Sequence, residues 1–452
     1  MKHLFFTAIF AVLCAFTMNA QTFKYNGETL VENTTFTKQT SPGKTTTETP
    51  EVSGLAASRT TTGYYWANCD DPSETGENGY IYALNPGGSV RMKLKTNISM
   101  KYGSPNNKWD KQDWEDICMA TRKEGGVDKN YIIVGGFGDN KFDKKGVYYL
   151  YIIPEPTIDG NNGSTKTASG VITITFSFPG GISSNNEAVM YDPVGDQIIV
   201  ITKETNSSKT PTGNPSRVYK TPFRTSNGTV TLTAVKDASN KDLTLGKGKS
   251  ENNFFAISAA DMSMDGKYVL VMNADKTEGT STQATVLYWE RKCATEPFDE
   301  MIRRAPQYVT AYKRTDDAKG EAIAWSLDGK SFITTSDDTK AMTINQYTRP
   351  NAPVIAVSCT NPVTPTKVNR PTLIQNIFTY TGSTITVKLN PENTTLYTIT
   401  SGSSGKDVNT YTAKVSGSSG WGKDNQKSDA DRTAPSGKAD GAVWRKNTEK
   451  KL

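Results

Sequence analysis

Five short segments place a carboxylate among small or apolar residues just ahead of a strand-like stretch. They are Glu51-Val52-Ser53-Gly54-Leu55, Asp113-Trp114-Glu115-Asp116-Ile117, Asn186-Glu187-Ala188-Val189-Met190, Ala260-Asp261-Met262-Ser263 and Gly320-Glu321-Ala322-Ile323-Ala324-Trp325. If equivalent positions face one axis, Glu51, Glu115, Asp116, Glu187, Asp261 and Glu321 converge there. Like charges in a confined space must then be relieved by a bound cation, by raised pKa values or by neighbouring lysine and arginine. An all-oxygen donor set favours a hard cation, and calcium is the expected cofactor. Asp139, Asn140 and Asn186 are candidate ligand contacts, the asparagines through their amide oxygens.

The chain contains a single histidine, His3. It lies in a leader: a basic start, an apolar run from Leu4 to Phe16, and the small Ala20 before Gln21 predict a signal peptide over residues 1–20. The expected location is secreted, periplasmic or at the cell surface. Loss of His3 with the leader excludes a Ser-His-Asp triad, a Cys-His pair and a histidine-ligated zinc. Remaining hydrolytic chemistry would run on carboxylates and a metal. A bound cation would polarise a phosphoryl or ester oxygen, Glu187 or Glu115 would take the proton, and Lys203 would stabilise developing charge. The same acids could instead accept backbone hydrogen bonds from neighbouring elements, and Lys203 could be an ordinary strand-end lysine.

The elements that must position these groups are short strands. Val147–Ile153, Val171–Phe178, Gln197–Thr202, Tyr268–Met272 and Ser331–Thr335 are examples, with turn residues between them such as Asp192-Pro193-Val194-Gly195-Asp196 and Met264-Asp265-Gly266-Lys267. Long helical periodicities are absent, so the fold class is all-β. Three acidic segments run through a turn into a second strand, which is the inner hairpin of a β-propeller blade. Successive acids at 51, 115, 187, 261 and 321 are 64, 72, 74 and 60 positions apart. A compact blade takes roughly 40–45 residues, and six blades are expected, with long loops or a blade that lacks the motif. Asp265 and Asp328 read as turn-formers, and Trp66, Trp114, Trp289 and Trp325 as blade packing.

The expected organisation is a propeller over residues 51–350, preceded by strands and a flexible segment at 21–50 that could complete the last blade. Residues 351–400 hold last-blade strands or a small β unit, and 401–452 form a disordered tail. Cys69, Cys118, Cys293 and Cys359 remain after leader removal, with three possible connectivities. The net charge of +6 is spread along the chain and gives no nucleic-acid footprint. No stretch after the leader is long and apolar enough to span a membrane.

These segments resemble the bacterial secreted six-bladed propellers with a phytase-like or esterase-like label and, more distantly, gluconolactonase- and regucalcin-like propellers. The shared motifs, over about residues 50–340, begin with Glu51 to Leu55, then Trp66, Asp70 and Asp71, and Asp113 to Asp116. Gly138-Asp139-Asn140, Pro154-Glu155-Pro156, Asn186 to Ala188, Thr202-Lys203, Ala260 to Gly266 and Gly320 to Trp325 follow in order. Gly136 replaces an aspartate of that pattern, and Val271-Met272-Asn273 replaces an Arg-Thr-Tyr. The resemblance implies a propeller binding calcium and a small or anionic ligand at its central channel, with hydrolysis of a phosphoester, lactone or ester. A non-catalytic propeller holding a protein or glycan on its rim is the alternative.

Overall fold

A computed structural model of the chain describes residues 24–49, 51–69, 79–98, 113–139, 147–203, 215–246, 257–273, 283–313, 320–336 and 341–349, and short strands after residue 360. The predicted leader, Asp70, Asp71, Asn140, Cys359 and most of the predicted tail lie outside the described residues. The chain divides into two compact units, Met1–Cys359 and Thr360–Leu452.

The first unit carries five antiparallel sheets, each opened by one of the inner strands expected from the sequence. Blade 1 runs Val52–Ala57, Tyr65–Cys69, Tyr80–Leu84 and Val90–Lys95. Blade 2 runs Trp114–Glu124, Val127–Gly136, Tyr148–Pro154 and Ile172–Ser177. Blade 3 runs Asn186–Asp192, Gln197–Thr202 and Ser216–Pro222, with Thr233–Ala234 and Thr244–Leu245 on its outer side. Blade 4 runs Ile257–Met262, Tyr268–Asn273, Gln283–Glu290 and Gln307–Lys313. Blade 5 runs Gly320–Trp325, Ser331–Ser336 and Thr343–Thr348. Inner strands of successive blades are neighbours around a closed circuit, with blade 5 against blade 1. The ring is a five-bladed β-propeller.

The packing follows from the sequence. In a propeller both faces of each sheet meet another sheet, so inner strands read as continuous small-apolar runs rather than alternating ones. Val52–Ala57, Asn186–Asp192, Ile257–Met262 and Gly320–Trp325 are buried along their whole length. Five hydrophobic clusters result, one per blade interface. Trp66 and Trp114 sit between blades 1 and 2, Phe137 and Tyr219 between 2 and 3, and Met190 and Trp289 between 3 and 4. Tyr268 and Trp325 sit between 4 and 5, and Leu55 and Ile333 close the circuit between 5 and 1. The expected packing role of the tryptophans is what these clusters show.

The expectation of six blades is corrected to five. Among the described residues, the long gaps between acids hold no skipped blade. They hold segments that a blade lends, between its third and fourth strands, to the outer edge of the blade before it. Ser164–Thr167 leaves blade 2 to pair in parallel with Val90–Lys95 of blade 1, and Gly228–Thr231 leaves blade 3 to pair with Ile172–Ser177 of blade 2. The short helix Phe298–Ile302 of blade 4 is tied to blade 3 through Lys220 and Asp299 at 2.6 Å. The Asn85–Ser89 turn of blade 1 lies against the strand Gly43–Lys44; a Cβ at Gly88, where φ is +88°, would overlap the Lys44 carbonyl. Edges that would otherwise offer unpaired N–H and C=O groups are thereby covered.

The N-terminal segment supplies what the fifth blade lacks. Val31–Glu32 pairs in parallel with Gln307–Tyr308 of blade 4, and Thr37–Lys38 and Gly43–Lys44 pair with Thr343–Thr348 as the outer strand of blade 5. The second unit holds a two-stranded sheet, Thr372–Leu373 with Leu389–Asn390, and a three-stranded sheet of Ile385–Val387, Tyr397–Ser401 and Thr412–Val415. Cys69 and Cys118 are buried thiols, and Cys293 is disulfide-bonded. Among the described residues no helix is long and apolar enough to cross a membrane.

Candidate functional site

Each inner hairpin carries a β-bulge at the same point. Register slips between Val52 and Gly54, Trp114 and Ile117, Asn186 and Ala188, Ile257 and Ala259, and Gly320 and Ala322. A bulge leaves its extra residue without a cross-strand partner and re-aims that side chain. The residues at this position are Ser53, Glu115 (with Asp116 beside it), Glu187, Ser258 and Glu321. The sequence repeat sets Glu51 and Asp261 level with the other acids. The register corrects this: Glu51 stands two residues before the bulge residue of blade 1, half-buried at φ 51°. Asp261 stands three residues beyond the bulge residue of blade 4. One tier of three glutamates and two serines therefore replaces the expected ring of five acids.

Gathered around the tier is Lys203, directly after the second strand of blade 3. Its Nζ lies 2.8 Å from Glu187 Oε2 and 3.9 Å from Glu321 Oε2, and all three side chains are buried. Burial works against the ammonium charge, but Glu187, Glu321 and Glu115 outweigh it, and Lys203 is held above its ordinary pKa. The other oxygen of Glu187, Oε1, accepts from Asn185 Nδ2 at 2.6 Å. Asn185 Oδ1 in turn accepts the Asp139 N–H at 2.6 Å, and Asp139 Oδ2 accepts the Tyr148 hydroxyl at 3.0 Å. One polar network thus joins blades 2, 3 and 5. Glu115 lies within it, with Ser53 Oγ 3.5 Å from its Oε2. A Cβ on Gly138 would overlap Glu115 Oε1, so the glycine of the Gly-Asp-Asn motif makes room for this carboxylate.

Asp116 and Asp261 serve the frame. Asp116 Oδ1 accepts the Ile117 N–H at 2.8 Å, while Oδ2 accepts those of Val189 at 2.9 Å and Ala260 at 3.2 Å, on blades 3 and 4. Asp261 accepts the Met262 N–H at 2.8 Å and that of Trp325, on blade 5, at 2.7 Å. Burial pushes Asp116 well above its ordinary pKa despite these N–H bonds, with Asp261 adding to the shift. Burial likewise raises Asp261 to about 7, against the opposing charge of Arg59. Asn186 Nδ2 donates to Phe137 O at 3.1 Å and Ser184 O at 2.8 Å, a link between blades 2 and 3. Asp265 and Asp328 accept N–H bonds from Lys267 and Lys330 inside their turns, as expected of turn-formers.

The structure therefore brings together Glu115, Glu187, Glu321, Lys203 and Asp139, and sets Asp116, Asp261 and Asn186 to holding blades. Asn140 lies outside the described residues. Asn185, Tyr148 and the two serines belong to the site without standing out in the sequence. The run Ser183-Ser184-Asn185-Asn186 is the one local signal for Asn185, and it points equally to its neighbour. Among the described residues, no group of three or more His, Cys, Asp or Glu side chains is arranged to hold a metal ion.

No protein-family model matches the chain, and no curated protein matches it in sequence. Among solved structures it is similar to one described as "Structure of Dos1 propeller". Identity is 11%, coverage 66% of this chain and 68% of that one, and the TM-score 0.30. So distant a likeness says nothing of function. Of the expected family resemblance, the propeller fold is what stands, and it rests on the sheet topology described above.

Proposed function

We propose that this chain is a ligand-binding propeller whose axial glutamate tier takes a small cation or an amine-bearing ligand, without catalysis. The observation that carries this reading is the arrangement about Lys203, where three carboxylates face one ammonium. The surplus of negative charge on a rigid, five-bladed frame suits a positively charged guest. Calcium is the inorganic cation that an all-oxygen donor set would favour.

Hydrolysis is the less favoured reading because Glu187, one of the two candidate bases with Glu115, is already bonded to Lys203 and Asn185. Partners that hold a carboxylate's charge weaken it as a general base. Both oxygens of Glu187 are engaged, one by Lys203 and one by Asn185. Lys203 is in turn bonded to Glu187.

Calorimetric titration with calcium chloride and with a diamine tests the proposal on wild type and on Glu321→Gln. Saturable binding that weakens in the variant supports it; absence of binding by either probe overturns it and leaves the rim-binding scaffold. Turnover of phosphoester and lactone substrates by wild type, lost in Glu187→Gln, would restore the hydrolase.

A further inference from the structure

Arg59 follows the inner strand of blade 1 at the end away from the bulge. From Ser53 to Arg59 the chain advances six residues, about 20 Å in extended geometry. Arg59 is thus remote from Lys203 along the axis. The charges that bear on its guanidinium come from Asp261 and Asp265 of blade 4 and from Glu155 of blade 2. A side chain from blade 1 that feels blades 2 and 4 together lies over the middle of the ring.

That guanidinium is short of acceptors. Its Nε and Nη1 are shielded from water and make no hydrogen bond, although the residue as a whole is only half-buried. The nearby carboxylates are hydrogen-bonded to other groups. Both Asp261 oxygens accept backbone N–H groups of Met262 and Trp325. Glu155 Oε1 takes Ser58 Oγ, the Arg59 backbone N–H and Trp66 Nε1, and Oε2 takes the N–H and hydroxyl of Thr60. Asp265 Oδ1 accepts from Ser263 Oγ and the Lys267 N–H. Neighbouring acids balance the charge of Arg59 at a distance and leave its donors unmet. Unmet buried donors on a charged group are among the costlier features a fold can carry.

We propose that Arg59 anchors a second ligand site, at the end of the propeller axis opposite Lys203, for a small monoanion whose charge is shared by two or three oxygens. A carboxylate or an inorganic oxyanion supplies acceptors that the protein withholds, and a guanidinium is matched to such groups. The site is independent of the glutamate tier and would stand if the reading of that tier failed.

The test uses the full chain with sodium acetate and inorganic phosphate as probes, at constant ionic strength, read by thermal melting and calorimetric titration. Wild type should show a saturable rise in Tm with at least one probe. Arg59→Gln should weaken that binding by about 10–100-fold, the loss of a charged hydrogen-bond donor. Arg59→Lys, which keeps the charge, should fall between the two. Arg91→Gln, at a surface arginine of the same blade, should match wild type. No saturable effect on wild type overturns the proposal, whatever the variants do. Equal binding by wild type and Arg59→Gln also overturns it, as does equal binding by Arg59→Lys if the glutamine variant fails to fold.

Discussion

Asp116 of blade 2 accepts the backbone N–H of Ala260 of blade 4, so one side chain spans the ring's centre. The same oxygen holds Val189 of blade 3. Removing the carboxylate strands two interior donors from two other blades. Each such orphan costs about 1–3 kcal/mol, and Asp116→Ala should lose on the order of 3–5 kcal/mol in urea unfolding. Asp116→Asn keeps one acceptor and should lose less. Equal stability of wild type and the alanine variant would remove Asp116 from the frame.

Lys203→Met leaves Glu187, Glu321 and Glu115 facing one another with no counter-charge. Breaking a buried ion pair in this way typically costs about 3–5 kcal/mol. In wild type the sign is that of a raised basic group. Its contribution is complete below the unfolded lysine value and is lost as pH rises through the still higher folded value. Stability should therefore begin to fall in strongly alkaline solution, and chemical denaturation series across pH would reveal it.

Asp261 has the opposite consequence, because it is an acid held high. With an ordinary value near 4 and a folded value of about 7, the folded state binds the extra proton between those limits. Wild-type stability should decline as pH rises from about 4 to 7 and then level off, by about 4 kcal/mol at most. Asp261→Asn should flatten that part of the profile. A variant whose slope matches wild type would show that another group titrates.

Gly88→Ala probes the contact that ties the N-terminal strap to blade 1. The position has φ +88°, and a Cβ there would meet the Lys44 carbonyl and the Thr45 nitrogen. Backbone strain of this kind costs about 1–3 kcal/mol. Hydrogen exchange at Gly43–Thr45 should speed up in the variant more than exchange at Val189 or Ile199 in the core.

The hairpins of blades 3, 4 and 5 are legible because turn residues and small-apolar runs are local signals. The strands Gln197–Thr202, Tyr268–Asn273 and Ser331–Ser336 lie where the Asp-Gly and Asp-Pro turns put them. The blade count is not legible, because the lent strands Ser164–Thr167 and Gly228–Thr231 pair with a sheet other than their own. Nor is the tier: a bulge adds one residue without any mark in composition, so Asp261 and Ser258 cannot be told apart by pattern. That acids gather near the axis follows from the repeat. That a lysine answers Glu187 while backbone amides answer Asp116 depends on partners 16 and 73 residues away, supplied by the blade 3 hairpin and by the packing of blade 3 on blade 2.

The pairing of Val31–Glu32 with Gln307–Tyr308, and of Thr37–Lys38 with Tyr347–Thr348, sets an order of events during synthesis. Val31–Glu32 waits for residues 307–308, and Thr37–Lys38 for residues 347–348. Blades 1 to 4 can stack as they emerge, each latching onto its predecessor, while the strap waits. Contacts of such long sequence separation form slowly, so the last step of folding should be a single clasp that turns an open arc into a circle.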